Sequence, residues 1–582
     1  MSDHPDTDAR TDWSAWWATT TPHHTALIWE PTDQRLSYLQ LHNRALTTAH
    51  TLTLQHGLRR GDRVAILAQN SLEHVLLFVA AQKSGWILVP INFRLTAPEL
   101  AHVLHDSDPA LLIHQRALSP LLDTLRREGH PLPPTLLMDD EPTPTSPDPP
   151  TSPDTPTPLA ATPLAATPAT PATPATPAML ATSTTPTTPE THHNDAPTPP
   201  ESRLDDAPTT PPNAAILEPP RFEDPVMILY TSGSTGVPKG AVITHKMLTF
   251  NAINTILSLS LTSQDVSFNA APMYHTGGWN VLTTPLLYCG ATALLLDRFD
   301  PAQILDLCGR RGITILWGVP TMLRMLSDSP AFPDADLGAV RCAVVGGEPM
   351  PEALIHTWHA RGIPVRQGFG MTEVGPNCFS LSASDAIAKA GSIGRPNFYI
   401  DARLVDDEGS DVGTDQIGEL WMRGPVVTPG YWRNPEANEK SFHGAWFATG
   451  DLMRRDAEGF YRVVGRKKDM FISGGENVYP PEVERVLLQH PAVAQAAVIG
   501  APDPTWGEVG VAFLVLSTET GEAELLAHCR ASLARYKIPR RICVLEALPT
   551  GASGKIDKLA LRQNLPKVDF VDGQGGSTSR LR

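Results

Sequence analysis

The chain has 582 residues, with 46 Lys or Arg against 62 Asp or Glu and a formal charge of −16. That balance speaks against general nucleic-acid binding, which needs a basic face to displace phosphate counterions, and no stretch approaches the roughly 18 apolar residues of a membrane span. Six cysteines without a Cys-x-x-Cys pair argue against a zinc-knuckle or thioredoxin-like site. The length suggests more than one folding unit. Residues 1–10 are polar and acidic, without the basic-then-apolar order of a secretory signal, so a soluble cytoplasmic chain with reduced thiols is expected. Peripheral membrane contact and a homodimer are both compatible with this composition.

Apolar patterning predicts a helix over 37–55 ending at Gly57, a buried strand over 64–68 and a helix over 71–83 stopped near Gly85. A strand over 86–91, a short helix over 97–105 and a strand over 110–114 follow. Strands separated by helices of this length imply parallel α/β layers. Residues 141–220 break the pattern, with 23 Pro, 19 Thr and no Phe, Trp or Tyr. Such a segment lacks the apolar surface to offset ordering entropy, and we read it as an extended linker or loop. A short apolar strand over 226–230 resumes the pattern, and α/β alternation is expected to about residue 460. From Glu482 the signals change to a smaller α+β unit: a helix over 482–489, strands over 493–499 and 510–516, a helix over 521–533 and a strand near 541–545.

The strongest local motif is Tyr230-Thr-Ser-Gly-Ser-Thr-Gly-Val-Pro-Lys-Gly240. Glycines such as Gly233 and Gly236 let backbone N–H groups approach a polyphosphate. The hydroxyls of Thr231, Ser232, Ser234 and Thr235 can donate to its oxygens, and Lys239 neutralises charge. It is not a Walker A loop, because Lys239 is followed by Gly240 rather than Ser or Thr. In Gln367-Gly-Phe-Gly-Met-Thr-Glu373, the flanking Gly368 and Gly370 would let Phe369 lie against a flat heterocycle. Met371 and Thr372 lead into Glu373, an oxygen ligand suited to Mg²⁺; a helix cap formed by Thr372 and Glu373 is the structural alternative. Val344-Val-Gly-Gly-Glu348 follows an apolar strand, so Gly346, Gly347 and Glu348 fit a ligand loop at a strand's carboxyl end.

These blocks, in this order, resemble the adenylate-forming superfamily of acyl-CoA synthetases, luciferases and peptide-synthetase adenylation domains. The resemblance covers nearly the whole chain outside the Pro/Thr-rich stretch. It implies a large N-terminal domain of layered α/β sheets (1–465), a hinge (466–468), a smaller mobile α+β C-terminal domain (469–566) and a tail (567–582). It further implies that Asp451 of Ala448-Thr-Gly-Asp451 and Arg466 bind the ribose, and that Lys468 is the pivot. Ser473, Gly474, Gly475 and Glu476 would line a pantetheine tunnel, and Lys555 of Pro549-Thr-Gly-Ala-Ser-Gly-Lys555 would be the adenylation lysine. Thr231 and Glu373 are the implied Mg²⁺ ligands, with ATP, Mg²⁺ and CoA as cofactors and co-substrates. In Met273-Tyr-His-Thr-Gly-Gly-Trp279, His275 would sit near the substrate carboxylate, and Trp279 either walls an acyl pocket or packs in the core. Phe369 stands where much of the family has Tyr, which keeps stacking and loses a hydroxyl hydrogen bond.

The implied reaction joins a carboxylic acid to ATP as an acyl-adenylate and then to CoA as a thioester. The closest resemblance in appearance is to bacterial fatty-acyl-CoA synthetases, which points to a medium- or long-chain fatty acid. O-succinylbenzoate–CoA and aryl-acid–CoA ligases, and a fatty acyl-AMP ligase serving a carrier protein, stay open. A peptide-synthetase module is disfavoured, because only five residues follow the carrier-like Ser577 and no acidic residue is evident for an amino group. A luciferase-like oxygenase would share every block, whereas a catalytically dead binding protein would lack Lys555 or Glu373, and both are present.

Overall fold

The computed structural model describes residues 11–138, 217, 219–231, 238–348, 350–551 and 555–565. Almost all of the Pro/Thr-rich linker reading, the phosphate-loop residues Ser232, Gly233, Ser234, Thr235 and Gly236, and the expected tail lie outside them. Leu217, near the end of the Pro/Thr-rich stretch, is described and packs against the core.

The helix signals are realised where caps and stops predict them. Tyr38–His56 starts on a capping box, in which Ser37 Oγ accepts from the Gln40 N–H and Gln40 Oε1 accepts from the Ser37 N–H. It ends at Gly57, whose φ of +64° is the left-handed conformation glycine adopts without a Cβ penalty. Leu72–Ser84 is buried almost all round and ends the same way at Gly85. The first strands pair as a parallel layer in which Arg63–Leu67 lies between Ile87–Ile91 and Leu111–Gln115. Thr135–Met138, Pro225–Thr231 and Lys239–Thr244 complete this six-stranded sheet, the last two as an antiparallel pair.

A nine-stranded sheet forms the second layer. Its centre is parallel, with Val266–Asn269, Ile315–Gly318, Cys342–Val345 and Val365–Met371 as successive neighbours. Val365–Met371 then turns back on Gly375–Ser380 as an antiparallel pair, so the carboxyl ends of the parallel strands and one hairpin open on the same edge.

The expected α/β alternation does not reach residue 460. Residues 401–466 form an antiparallel five-stranded sheet instead, with one short helix, Pro435–Ser441. The reason lies in the periodicity: along Ile417–Arg423 every second residue is buried, the pattern of a half-solvated strand. A separate five-stranded sheet begins at Phe471–Ser473 and carries the helices Pro480–Leu488 and Glu522–Ser532, with its own apolar clusters. Among the described residues no helix is long and apolar enough to cross a membrane.

Candidate active site

Thr231 and Lys239 are paired across the antiparallel strands that flank the phosphate-loop motif. Lys239 Nζ lies 5.4 Å from the ring centre of Tyr431, and the Tyr431 hydroxyl donates to Glu373 Oε1 at 2.8 Å. Burial, with the Glu373 carboxylate beside it, raises the Tyr431 phenol. Glu373 sits in a tight turn, Thr372–Val374, and is 5% exposed. Thr372 and Glu373 open a single 3₁₀ turn directly after the strand Val365–Met371, so they do stand at a short helical N-terminus, but with no side-chain cap hydrogen bond there. With Oε1 occupied by Tyr431, Oε2 is the carboxylate oxygen left for a cation, and a single buried carboxylate suits Mg²⁺, which takes most of its ligands from phosphate and water.

Phe369 pairs with Phe379 across the hairpin, with ring centres 5.9 Å apart in an edge-to-face arrangement. Gly370 has a steric reason to be glycine, since a Cβ there would fall 2.3 Å from the Pro376 carbonyl carbon.

Asp451 and Arg466 are directly opposite on the strands Trp446–Arg455 and Tyr461–Arg466. Arg466 Nε donates to Asp451 Oδ1 at 2.7 Å, while Oδ2 is buried without a hydrogen-bond partner. Burial pushes the Asp451 carboxyl up to about 6 despite the opposing pull of Arg466 and Lys555. An orphaned buried carboxylate oxygen is costly unless a donor arrives, and a pair of ribose hydroxyls supplies donors.

The ammonium end of Lys555 reaches this region from the C-terminal unit. A Cβ on Gly347 would lie 3.8 Å from Lys555 Nζ and 3.7 Å from Cε; with φ at +87°, Gly347 is a position where only glycine fits easily. The residue as a whole is exposed, but its ammonium is crowded by protein. Burial therefore lowers the Lys555 pKa against the pull of Glu348 and Asp451. Burial in turn raises Glu348, which faces Lys555. Lys555 is held by a turn in which the Gly551 N–H donates to the Lys555 carbonyl at 2.8 Å, and by ion pairs of Lys558 with Glu484 (2.7 Å) and Arg562 with Asp469 (3.1 Å).

His275 caps the short helix Thr276–Asn280, with Nδ1 accepting the Gly277 N–H at 3.1 Å. Burial first, and Lys555 second, lower its pKa to about 4, so the ring is neutral at neutral pH. A neutral imidazole whose Nδ1 accepts carries its proton on Nε2, leaving one donor for an anion.

Two groups of expected site residues lie apart from this cluster. Ser473 and Glu476 flank a two-residue turn of Gly474 (φ +62°) and Gly475 (φ +86°) between Phe471–Ser473 and Glu476–Val478. The turn packs on its own sheet, where the Gly474 N–H donates to the Trp506 carbonyl, and among the described residues no hydrogen bond or ion pair joins it to Lys555 or Asp451. Lys468 is exposed in the turn that follows Arg466. Trp279 does not wall a pocket: it is fully buried, packs on Phe78 and His74, and its indole N–H donates to the Met273 carbonyl. Tyr431 escaped the sequence reading, because nothing local links it to a glutamate 58 positions away.

Comparison with known proteins bears on this arrangement. The model of the AMP-binding enzyme family matches residues 14–432, and that of the AMP-binding enzyme C-terminal domain matches residues 482–555. A feruloyl-CoA synthase of Amycolatopsis sp is 35% identical over 557 residues, covering 95% of this chain and 98% of that protein. The long-chain-fatty-acid–CoA ligase FadD13 of Mycobacterium tuberculosis is 32% identical, covering 94% and 96%. The solved structure of o-succinylbenzoate coenzyme A synthetase (MenE) from Bacillus subtilis with ATP and magnesium ion superposes with a TM-score of 0.76 at 30% identity, covering 95% of this chain and 99% of that one.

Proposed function

The chain belongs to the AMP-binding enzyme family, as an AMP-forming acid–thiol ligase that uses ATP, Mg²⁺ and CoA, and from that premise we propose how its own residues divide the work. Lys555 and His275 hold the acid, Asp451 and Arg466 hold the ribose, and Thr231, Lys239, Gly346, Gly347 and Glu348 border the phosphates. Phe369, with Gly368 and Gly370 beside it, offers its ring to the adenine. Glu373 and Thr231 are the residues that would hold Mg²⁺, which when bound supplies charge neutralisation at the phosphates.

In adenylation, a carboxylate oxygen attacks the α-phosphorus, and the bond to the bridging oxygen breaks with release of pyrophosphate. Both reactants are anionic. Lys555 lowers the barrier by sitting where the carboxylate and α-phosphate meet, and His275 Nε2–H donates to the carboxylate oxygen that does not attack. In the second step the CoA thiol displaces AMP. We assign that step to a second arrangement in which the C-terminal unit, residues 469–566, turns about residues 466–468 and brings the Ser473–Glu476 turn to the acyl group.

The observation that carries this reading is the Lys555 ammonium beside Gly347, supplied by one unit to the site of the other. The test separates the half-reactions. Lys555→Ala should cut adenylation by about 10²–10³ while thiolysis of a supplied acyl-adenylate survives; equal loss of both would overturn the two-arrangement scheme.

The acid has support in two directions. The resemblance to fatty-acyl-CoA synthetases and to FadD13 supports a medium- or long-chain fatty acid. The feruloyl-CoA synthase and the o-succinylbenzoate synthetase support an aryl acid. Pyrophosphate release with ATP, Mg²⁺ and a panel of fatty and aryl acids, each with and without CoA, decides between them.

A further inference from the structure

The phosphate-loop motif is carried on a ribbon with two faces. Pro225–Thr231 and Lys239–Thr244 are antiparallel, with Tyr230 opposite Gly240 and Thr231 opposite Lys239. Successive side chains on a strand point to opposite faces, and directly paired residues share one. Thr231 and Lys239 therefore stand on one face, Tyr230 and Gly240 on the other. Residues 428–432 join the edge of the ribbon in the same register. Ala241 bridges Tyr431, and the Trp432 N–H donates to the Gly240 carbonyl at 2.7 Å. Tyr431 falls on the face of Lys239, whose ammonium approaches its ring, and Trp432 on the face of Tyr230.

The Lys239 face carries the chemistry described above. There the edge segment fastens Glu373 to the ribbon. The Thr428 N–H donates to the Glu373 carbonyl at 2.7 Å, the Thr428 hydroxyl to the Val242 carbonyl at 2.7 Å, and the Tyr431 hydroxyl to the Glu373 carboxylate.

The opposite face is fixed to one helix, Ala97–Ser107. Leu100, Val103 and Leu104 of that helix are buried, and Tyr230 and Trp432 pack against the cluster they belong to. The Tyr230 hydroxyl donates to Asp106 Oδ2 at 2.6 Å, and the Trp432 indole N–H donates to the Asp106 carbonyl at 3.2 Å. One turn earlier, His102 Nε2 donates to the Pro238 carbonyl at 3.2 Å, since a carbonyl can only accept. Gly240 makes room for this: a Cβ there would lie 3.2 Å from Tyr230 Cζ and 3.5 Å from Trp432 Cβ. Burial first, and the bond to Asp106 second, raise the Tyr230 phenol, which keeps it a donor.

Asp106 is thus met from both sides of the loop. Tyr230 reaches it from the strand that enters, and Gly240, through Trp432, from the strand that leaves. The first of these is a hydrogen bond to a carboxylate, the stronger kind.

Resting on the assignment of Thr231, Lys239 and Glu373 to ATP and Mg²⁺, we propose that Asp106 is a positioning residue for the triphosphate: it holds the back of the ribbon through Tyr230 and Trp432, and so fixes where Thr231 and Lys239 stand relative to Glu373.

The test is calorimetric binding of ATP with Mg²⁺, and of AMP, to the full-length protein, with the melting temperature as the check on folding. Asp106→Ala should weaken ATP about tenfold and AMP by less than about threefold, because AMP lacks the outer phosphates that the ribbon serves. Asp106→Asn keeps an oxygen acceptor and should stay closer to wild type. Tyr230→Phe should weaken ATP in the same direction, and adding it to Asp106→Ala should cost no more than about another twofold, since both remove one bond. If Asp106→Ala does not fold, Tyr230→Phe decides alone by the same ATP-to-AMP split. ATP affinity unchanged in the folded variants, or ATP and AMP lost in parallel, would overturn the proposal and leave Asp106 a structural residue. Lys239→Ala separates this failure from failure of the premise. ATP affinity untouched by Lys239→Ala would bring down the assignment of Lys239 to the phosphates. A loss there beside none in Asp106→Ala would bring down the positioning role alone.

Discussion

Asp451 and Arg466 share one ion pair through Oδ1, and the other Asp451 oxygen is left buried with no partner. Burial raises this carboxyl to about 6 from an ordinary 3.8. An acid that holds its proton more tightly when folded costs stability as pH rises. The unliganded protein should therefore lose stability between about pH 4 and 6 on this account and be level above 6. Nucleotide capture has the opposite sense, since only the ionised carboxylate can accept from two hydroxyls. We expect kcat/KM for ATP to rise through about pH 6 to a plateau. Asp451→Asn should be low throughout and lack that limb, so a retained limb in the variant would assign the titration to another group.

The Tyr431 hydroxyl is the one side-chain donor bonded to Glu373 among the described residues. Tyr431→Phe removes it without changing the ring under Lys239. Losing a hydrogen bond to a charged partner costs about 1.5–3 kcal/mol where the site is dry. The expected result is a roughly tenfold or greater rise in the Mg²⁺ concentration for half-maximal pyrophosphate release, read from a magnesium titration at saturating ATP.

Trp279 is fully buried against Phe78. Trp279→Ala should destabilise the fold by about 3–5 kcal/mol, measured by urea unfolding. The relative kcat/KM values across the acid panel should shift little. A changed acid preference at near-normal stability would restore the gating role that its position in the sequence suggests.

Local chemistry made much of the N-terminal fold legible. The Ser37 capping box and the stops at Gly57 and Gly85 are written within a few residues of the helices they bound. The helix 482–489 and strands 493–499 and 510–516 recur as Pro480–Leu488, Val493–Asp503 and Gly507–Leu516. What failed depended on distance. Ile417–Arg423 carries period-two burial that a count of alternating segments conceals. Tyr431 meets Glu373, and Asn377 meets Thr255, only after separate sheets and helices have packed. A motif names the residues at a strand's end, but tertiary packing decides what lies behind them.

Arg466 closes one antiparallel sheet and Phe471 opens the next. Five Cα steps separate them, a leash of at most roughly 17 Å when taut. Under the two-arrangement scheme proposed above, that tether confines the smaller unit to a turn about residues 466–468, so Lys555 and the Gly474–Gly475 turn would be two points on one wheel, exchanged by angle alone.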